Sequence, residues 1–180
     1  MGSPKALLDF GGCSFAERLA RTFSALLDSC TIVLGYEASA VHAALAHLPR
    51  VGFVVNPAPE RGMLSSLQCG LRTLPSATRA AMFTPVDFPA VAPATVAALA
   101  RAARTRPIVV PCHGGRRGHP VLCDRTVLGE LLRLPADAAP NEVIRRDESR
   151  VSCIEVGDPN IHRDIDDRAA YERLLAEVPV

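Results

Sequence analysis

Six short apolar runs divide the chain: "CTIVLG" (30–35), "VGFVV" (51–55), "AAMFT" (80–84), "PIVVP" (107–111), "PVLC" (120–123) and "VSCIEV" (151–156). Most are continuously apolar rather than alternating, the pattern of strands covered on both faces. Segments with helical spacing separate them. In "FAERLARTFSALLD", Phe15, Leu19, Phe23, Leu26 and Leu27 fall on one stripe. "SAVHAALAHL" and "PATVAALARAAR" behave alike, with Pro93 suited to a first helical turn. Strands alternating with helices imply βαβ units, so the expected fold is α/β, three-layered, with a mostly parallel sheet flanked by helices. The stretch "PIVVPCHGGRRGHPVLC" holds two short strands around a Gly-rich turn and reads as a small inserted β-hairpin. No repeat, low-complexity tract or linker interrupts the pattern, so one domain over 1–180 is expected.

At this length roughly 70% of the unfolded chain's surface can be buried, enough for a full core without staples. A formal net charge of +1 leaves no electrostatic footprint for nucleic acid. Two Tyr, six Phe and no Trp give no stacking platform for single strands. No apolar run is long enough to span a bilayer, and no basic amphipathic segment points to a membrane surface. The six cysteines are scattered, with no C-x-x-C pair for zinc, and several lie in apolar runs. They are expected to be reduced structural thiols in a cytoplasmic protein.

Open α/β sheets bind ligands beyond the carboxyl ends of their strands, so the polar residues there matter most. Lys5 is the only lysine, every other Lys/Arg position being arginine, and a compact point charge suits phosphate; a solvated terminal residue would look the same. Asp87 follows the third run, where a carboxylate can hold Mg²⁺ or simply serve a turn. Asp164, Asp166 and Asp167 form a second acidic cluster before "RAAYERLL", and one of them is an N-cap candidate. Two acidic loops at one sheet edge would need a cation between them. "NPAPERGMLSSL" offers Asn56, Gly62, Ser65 and Ser66, with Gly62 allowing close backbone approach and the serines able to cap a helix or hold a polar ligand. "HGGRRGHP" places Arg117, Gly118 and His119 in a turn suited to phosphate or a planar polar ring, or to an ordinary solvated hairpin. His119 has no Ser or Cys placed for a triad. The residues alone point to an α/β enzyme handling a phosphorylated ligand with a metal.

Taken in order, these loops resemble the MobA-like nucleotidyltransferase superfamily, especially its molybdenum cofactor cytidylyltransferase branch. "MGSPKALLDFGG" is similar to the family's Arg-Met-Gly-x-x-Lys-x-Leu-Leu loop exit, and "VVNPAPERGMLSSLQCGL" to its Asn-Pro…Gly-Met-x-Ser-Ser-Leu segment. "VDFP" resembles the Asp-Gln-Pro metal motif, "GGRRGHPVLCDR" the Gly-x-x-Gly-His-Pro-Val turn, and "DIDDRAAYERL" the Asp-Ile-Asp-Thr-Pro-Glu-Asp ending. The resemblance implies a Rossmann-like fold of the nucleotide-diphospho-sugar transferase type. It implies Mg²⁺-dependent transfer of a nucleoside monophosphate, CMP from CTP for this branch, to the phosphate of molybdopterin, with release of pyrophosphate. A molybdoenzyme client is the implied downstream partner. By the same resemblance Lys5 and Asp87 are the catalytic pair, Lys5 neutralising NTP phosphates and Asp87 holding Mg²⁺ with Asp164 or Asp166. Asn56, Gly62, Ser65 and Ser66 would line the nucleotide or pterin side, and Arg117, Gly118 and His119 the acceptor side.

The chain departs from that pattern at Phe88, at Asp167-Arg168, and in lacking the family's opening strand and Gly-rich loop. That loop would wrap the triphosphate and help choose the base. Because Met1 aligns with a methionine inside the loop, the expectation is a functional protein that begins upstream. Two other readings stand beside the leading one: a sugar-phosphate nucleotidyltransferase, and a non-catalytic molybdenum cofactor binding and delivery protein.

Overall fold

The structure is a computed structural model that describes residues 4–135 and 138–177. Met1, on which the expected upstream start turns, lies outside the described residues. The elements alternate along the chain: α1 (Phe15–Leu26), β1 (Cys30–Leu34), α2 (Ala38–Leu45), β2 (Val51–Val55), α3 (Met63–Arg72), β3 (Ala80–Phe83) and α4 (Pro93–Ala102). There follow β4 (Ile108–His113), β5 (Arg116–Arg117), β6 (Val121–Asp124), α5 (Arg125–Arg133), α6 (Asn141–Arg146), β7 (Val151–Glu155) and α7 (Arg168–Ala176). Every apolar run became a strand.

Strands β1 and β2 pair in parallel, as do β4 and β7. Strand β6 lies antiparallel between β3 and β4, so the two runs expected to form a hairpin do pair, and within their connection β4 turns back through Gly114 and Gly115 to meet β5. Among the described residues these ladders form two sheets, β1–β2 and a mixed five-stranded one, with no ladder between β1 and β3. Apolar packing joins them instead: Leu19 and Phe23 of α1 share a cluster with Cys30, Met82, Val86, Val91 and Val96.

The layers follow from strand alternation. On β4, Ile108, Val110 and Cys112 face a cluster with Val127 and Leu131 of α5 and Val143 of α6. The intervening Val109 packs with Leu122 and Leu99 on the other side, under α4. Each such fully buried side chain contributes roughly 1.5–3 kcal/mol. The stripe on α1 buries Phe15, Leu19 and Phe23, and Leu27 packs against the cluster of Leu19 and Phe23, but Leu26 is 41% exposed. Local signals fix the helix starts. Ser14 accepts from Glu17 N, Asp124 from Val127 N, and Pro93 opens α4.

One expectation about the cysteines is overturned. Cys112 and Cys153 form a disulfide between the adjacent strands β4 and β7, with Cα atoms 5.7 Å apart. Their separation of 41 residues gave no sign of it, since only strand pairing makes them neighbours. Cys30 and Cys123 behave as expected: burial pushes their thiols up to about 11 and about 12. Among the described residues no helix is long and apolar enough to cross a membrane.

Candidate functional site

The two acidic loops meet through the backbone. Ile165 N donates to Asp87 O at 2.8 Å, laying the end of the chain along the loop that follows β3. Ile165 is fully buried with Phe10, Phe15 and Leu174, so Asp164 and Asp166 on either side of it are left exposed. Asp167 is the residue spent as a cap: its Oδ1 accepts from Ala170 N at 2.7 Å and starts α7.

Lys5, in a short 3-10 turn (Lys5–Leu7), reaches into this junction. Its Nζ donates to Asp166 Oδ1 at 2.8 Å and lies 4.0 Å from Asp87 Oδ2. The lone lysine is thus no freely solvated terminal residue. Burial raises the Asp87 carboxyl above its ordinary 3.8, Lys5 pulls it back, and the like charges of Asp166 and Asp164 push it up again. Asp166 is held below its ordinary value by its hydrogen bond to Lys5.

Asp87 Oδ1 is buried with no hydrogen-bond partner. A buried carboxylate oxygen left unpaired is costly unless something else satisfies it, and hard oxygen donors suit a divalent cation. Among the described residues, no three His, Cys, Asp or Glu side chains converge closely enough to hold a metal by themselves. That suits Mg²⁺ or a similar ion, which takes one or two carboxylates and fills its shell with water and substrate phosphates. The residues fit such a group: Asp87 and Asp166, with Asp164 beside them, would offer it carboxylate oxygens.

The loop after β2 is braced by its own side chains. Asn56, 4% exposed, donates through Nδ2 to Ser65 Oγ at 2.9 Å and Ser66 Oγ at 3.0 Å, and its Oδ1 accepts from Ala58 N at 3.0 Å. Ser65 Oγ lies 3.0 Å from Gly62 O and 3.2 Å from Ala58 O. Asn56 and Ser65 therefore brace the loop from within. Neither serine caps α3; Gly62 holds that position, with a φ of +88° that favours glycine. Space is open where a Cβ on Gly62 would stand, so within the chain itself it is the backbone conformation that calls for glycine.

The hairpin turn is held from the other side. A Cβ on Gly118 would come 2.3 Å from Ile161 O, so only glycine fits there. Gly118 N donates to Pro111 O at 3.0 Å and His119 N to Ile161 O at 2.9 Å. The His119 ring packs against Phe88, centroids 4.6 Å apart and planes tilted by 45°, which brings this turn beside the residue that follows Asp87. Burial lowers the His119 pKa below 6.5, keeping the ring neutral at pH 7. Its Nδ1 is buried without a partner. Arg117, in contrast, is bound by Glu148, donating from Nη1 to Oε1 at 3.1 Å and from Nη2 to Oε2.

Sequence reasoning missed Asp158. This 6%-exposed carboxylate accepts through Oδ2 from Ala92 N and Thr95 Oγ1, both at 2.8 Å, and so fastens the start of α4 to the loop that leads to Asp164. The Gly-Asp-Pro turn at 157–159, shortly after the last strand, was the available signal.

Comparison with known proteins bears on the fold and the family. A search of curated protein sequences gave no match. Among solved structures, the manganese complex of Rv0371c from Mycobacterium tuberculosis H37Rv superposes with a TM-score of 0.78 at 28% identity, covering 98% of this chain and 94% of that one. A nucleotidyl transferase from Methanothermobacter gives a TM-score of 0.83 at 25% identity, covering 96% of this chain and 83% of that one. The molybdopterin-guanine dinucleotide biosynthesis protein A of Archaeoglobus fulgidus shares the fold, with a TM-score of 0.69 at 15% identity over 97% of this chain and 90% of that one. The family profile of the MobA-like NTP transferase domain matches residues 1–151, and the chain belongs to that family of nucleotidyltransferases.

Proposed function

We propose that this chain transfers CMP from CTP to the phosphate of molybdopterin, releasing pyrophosphate. The observation that carries the reading is the junction in which the Ile165–Asp87 backbone bond aligns Asp87 with Asp164 and Asp166, and Lys5 bridges the two loops. An in-line transfer of this kind needs charge neutralisation and positioning rather than a protein nucleophile. A divalent cation, when bound, would neutralise phosphate charge there. Lys5 supplies a mobile positive charge for the triphosphate, and Asp87 and Asp166 supply the hard oxygens. The manganese in the M. tuberculosis relative supports a divalent cation as the metal.

On the acceptor side Gly118 and the neutral His119 present a rigid, partly apolar wall with Phe88, suited to a flat ring. The pterin's own phosphate would be the nucleophile. A molybdoenzyme is the expected recipient of the product, and "GMLSSL" and "RRGHP" favour this acceptor over a sugar phosphate. Incubation with radiolabelled CTP, Mg²⁺ and molybdopterin tests the reading. Labelled dinucleotide should form with this chain and fall at least a hundredfold in Asp87→Asn. Absence of transfer with intact molybdopterin binding would favour a delivery protein instead.

A further inference from the structure

Lys5 stands where the metal's charge is wanted. Its Nζ is 2.8 Å from Asp166 Oδ1 and 4.0 Å from Asp87 Oδ2, so one ammonium spans the two carboxylates assigned to the cation. A divalent ion bound to that Asp166 oxygen at about 2.1 Å could lie no more than about 5 Å from the ammonium while both contacts last. The two positive groups therefore compete for one gap. Asp87 Oδ1, buried and unpaired, shows that the ammonium does not satisfy the site completely.

From this geometry we propose that Lys5 is a resident counter-ion that keeps a bare divalent cation out of the Asp87–Asp166 gap and vacates it when a triphosphate draws the ammonium away. Metal and nucleotide then enter together. The inference rests on the nucleotidyltransferase reading and adds to it an order of loading.

The side chains are suited to the exchange. Asp166 is 67% exposed, so its bond to Lys5 is made in a water-rich setting where ion pairs are weak and readily exchanged. Lysine carries a compact charge on a flexible four-carbon stem, able to swing from a carboxylate to a phosphate. An arginine here would grip Asp166 with two parallel bonds and release it less easily. The chain uses arginine at every other Lys/Arg position and lysine at this one.

The test reads metal binding without turnover. Mn²⁺ would be titrated, with no nucleotide present, into the wild-type chain, Lys5→Gln, Asp166→Asn and Arg168→Gln, with free Mn²⁺ followed by electron paramagnetic resonance. Inorganic tripolyphosphate would be titrated separately by calorimetry. Lys5→Gln should bind Mn²⁺ about tenfold more tightly, the worth of a unit charge against a divalent one roughly 5 Å apart in a water-like dielectric. The same variant should bind tripolyphosphate about tenfold more weakly. Asp166→Asn should lose Mn²⁺ affinity, and Arg168→Gln, which removes a charge paired with Glu172 instead, should change it less than about twofold. Opposite signs for the two ligands are the signature, and misfolding would weaken both. Equal or weaker Mn²⁺ binding by Lys5→Gln overturns the inference; if CTP-dependent transfer persists, the proposed function survives that result. Failure of every form to bind Mn²⁺, with or without tripolyphosphate, overturns both.

Discussion

Substituting Gly118 by alanine places one methyl group against a backbone that cannot move aside cheaply. The new Cβ would lie 2.3 Å from Ile161 O, 2.7 Å from Ile161 C and 2.8 Å from Ile161 Cβ. Real carbon–oxygen contacts sit near 3.3 Å or beyond, so the Ile161 turn must retreat by about 1 Å. Ile161 is fully buried, and overpacking such a site costs about 1–3 kcal/mol. The retreat also breaks the 2.9 Å bond from His119 N to Ile161 O, worth about 1 kcal/mol. The total is roughly 2–4 kcal/mol, or a melting point lower by roughly 5–15 °C for a chain of this size. Urea denaturation and thermal melting measure it directly. Gly115→Ala is the comparison, because space around Gly115 is open and only its φ of +76° opposes a side chain, a cost of about 1 kcal/mol. A Gly118→Ala loss no larger than that of Gly115→Ala would refute the close-approach argument.

Asp158→Ala should destabilise the chain by about 2–4 kcal/mol, since it leaves Ala92 N and the buried Thr95 hydroxyl unpaired at the start of α4; urea denaturation checks it. Reduction of Cys112–Cys153 should cost roughly 4 kcal/mol, the chain-entropy value for a loop of 41 residues, read as the difference between melts with and without reductant. His119 is neutral when folded and titrates below 6.5, so the unfolded state binds its proton first as the pH falls. Its contribution to stability is present above pH 6.5 and lost as the pH drops through the folded value. His119→Phe should flatten the stability–pH curve in that window, and an unchanged slope would contradict the assignment.

The strands were legible because burial on both faces writes a continuous apolar run, visible in "PIVVP" without any partner. Which run pairs with which was not. Strand β6 lies between β3 and β4 only after a hairpin reverses the chain, and the break between β1 and β3 belongs to ladders that no local pattern records. At the site, Lys5, Asp87 and Asp166 could be found because each stands in a polar loop where apolar structure stops. The contacts that set their chemistry could not. Lys5 meets Asp166 across 161 residues, and Asp158 meets Thr95 across 63. The serines were legible as polar residues, but the Asn56 amide that donates to both hydroxyls stands nine and ten residues away and left no local mark.

Thermal melting of the chain with CTP, GTP and ATP, each with and without Mg²⁺, tests the central claim most directly. Ligand that binds the native state stabilises it by about 2.7 kcal/mol at a hundredfold excess over its dissociation constant. The account predicts a Mg²⁺-dependent rise in melting temperature with CTP, abolished in Asp87→Asn. No rise with any nucleotide, at millimolar concentration and with Mg²⁺ present, would contradict it.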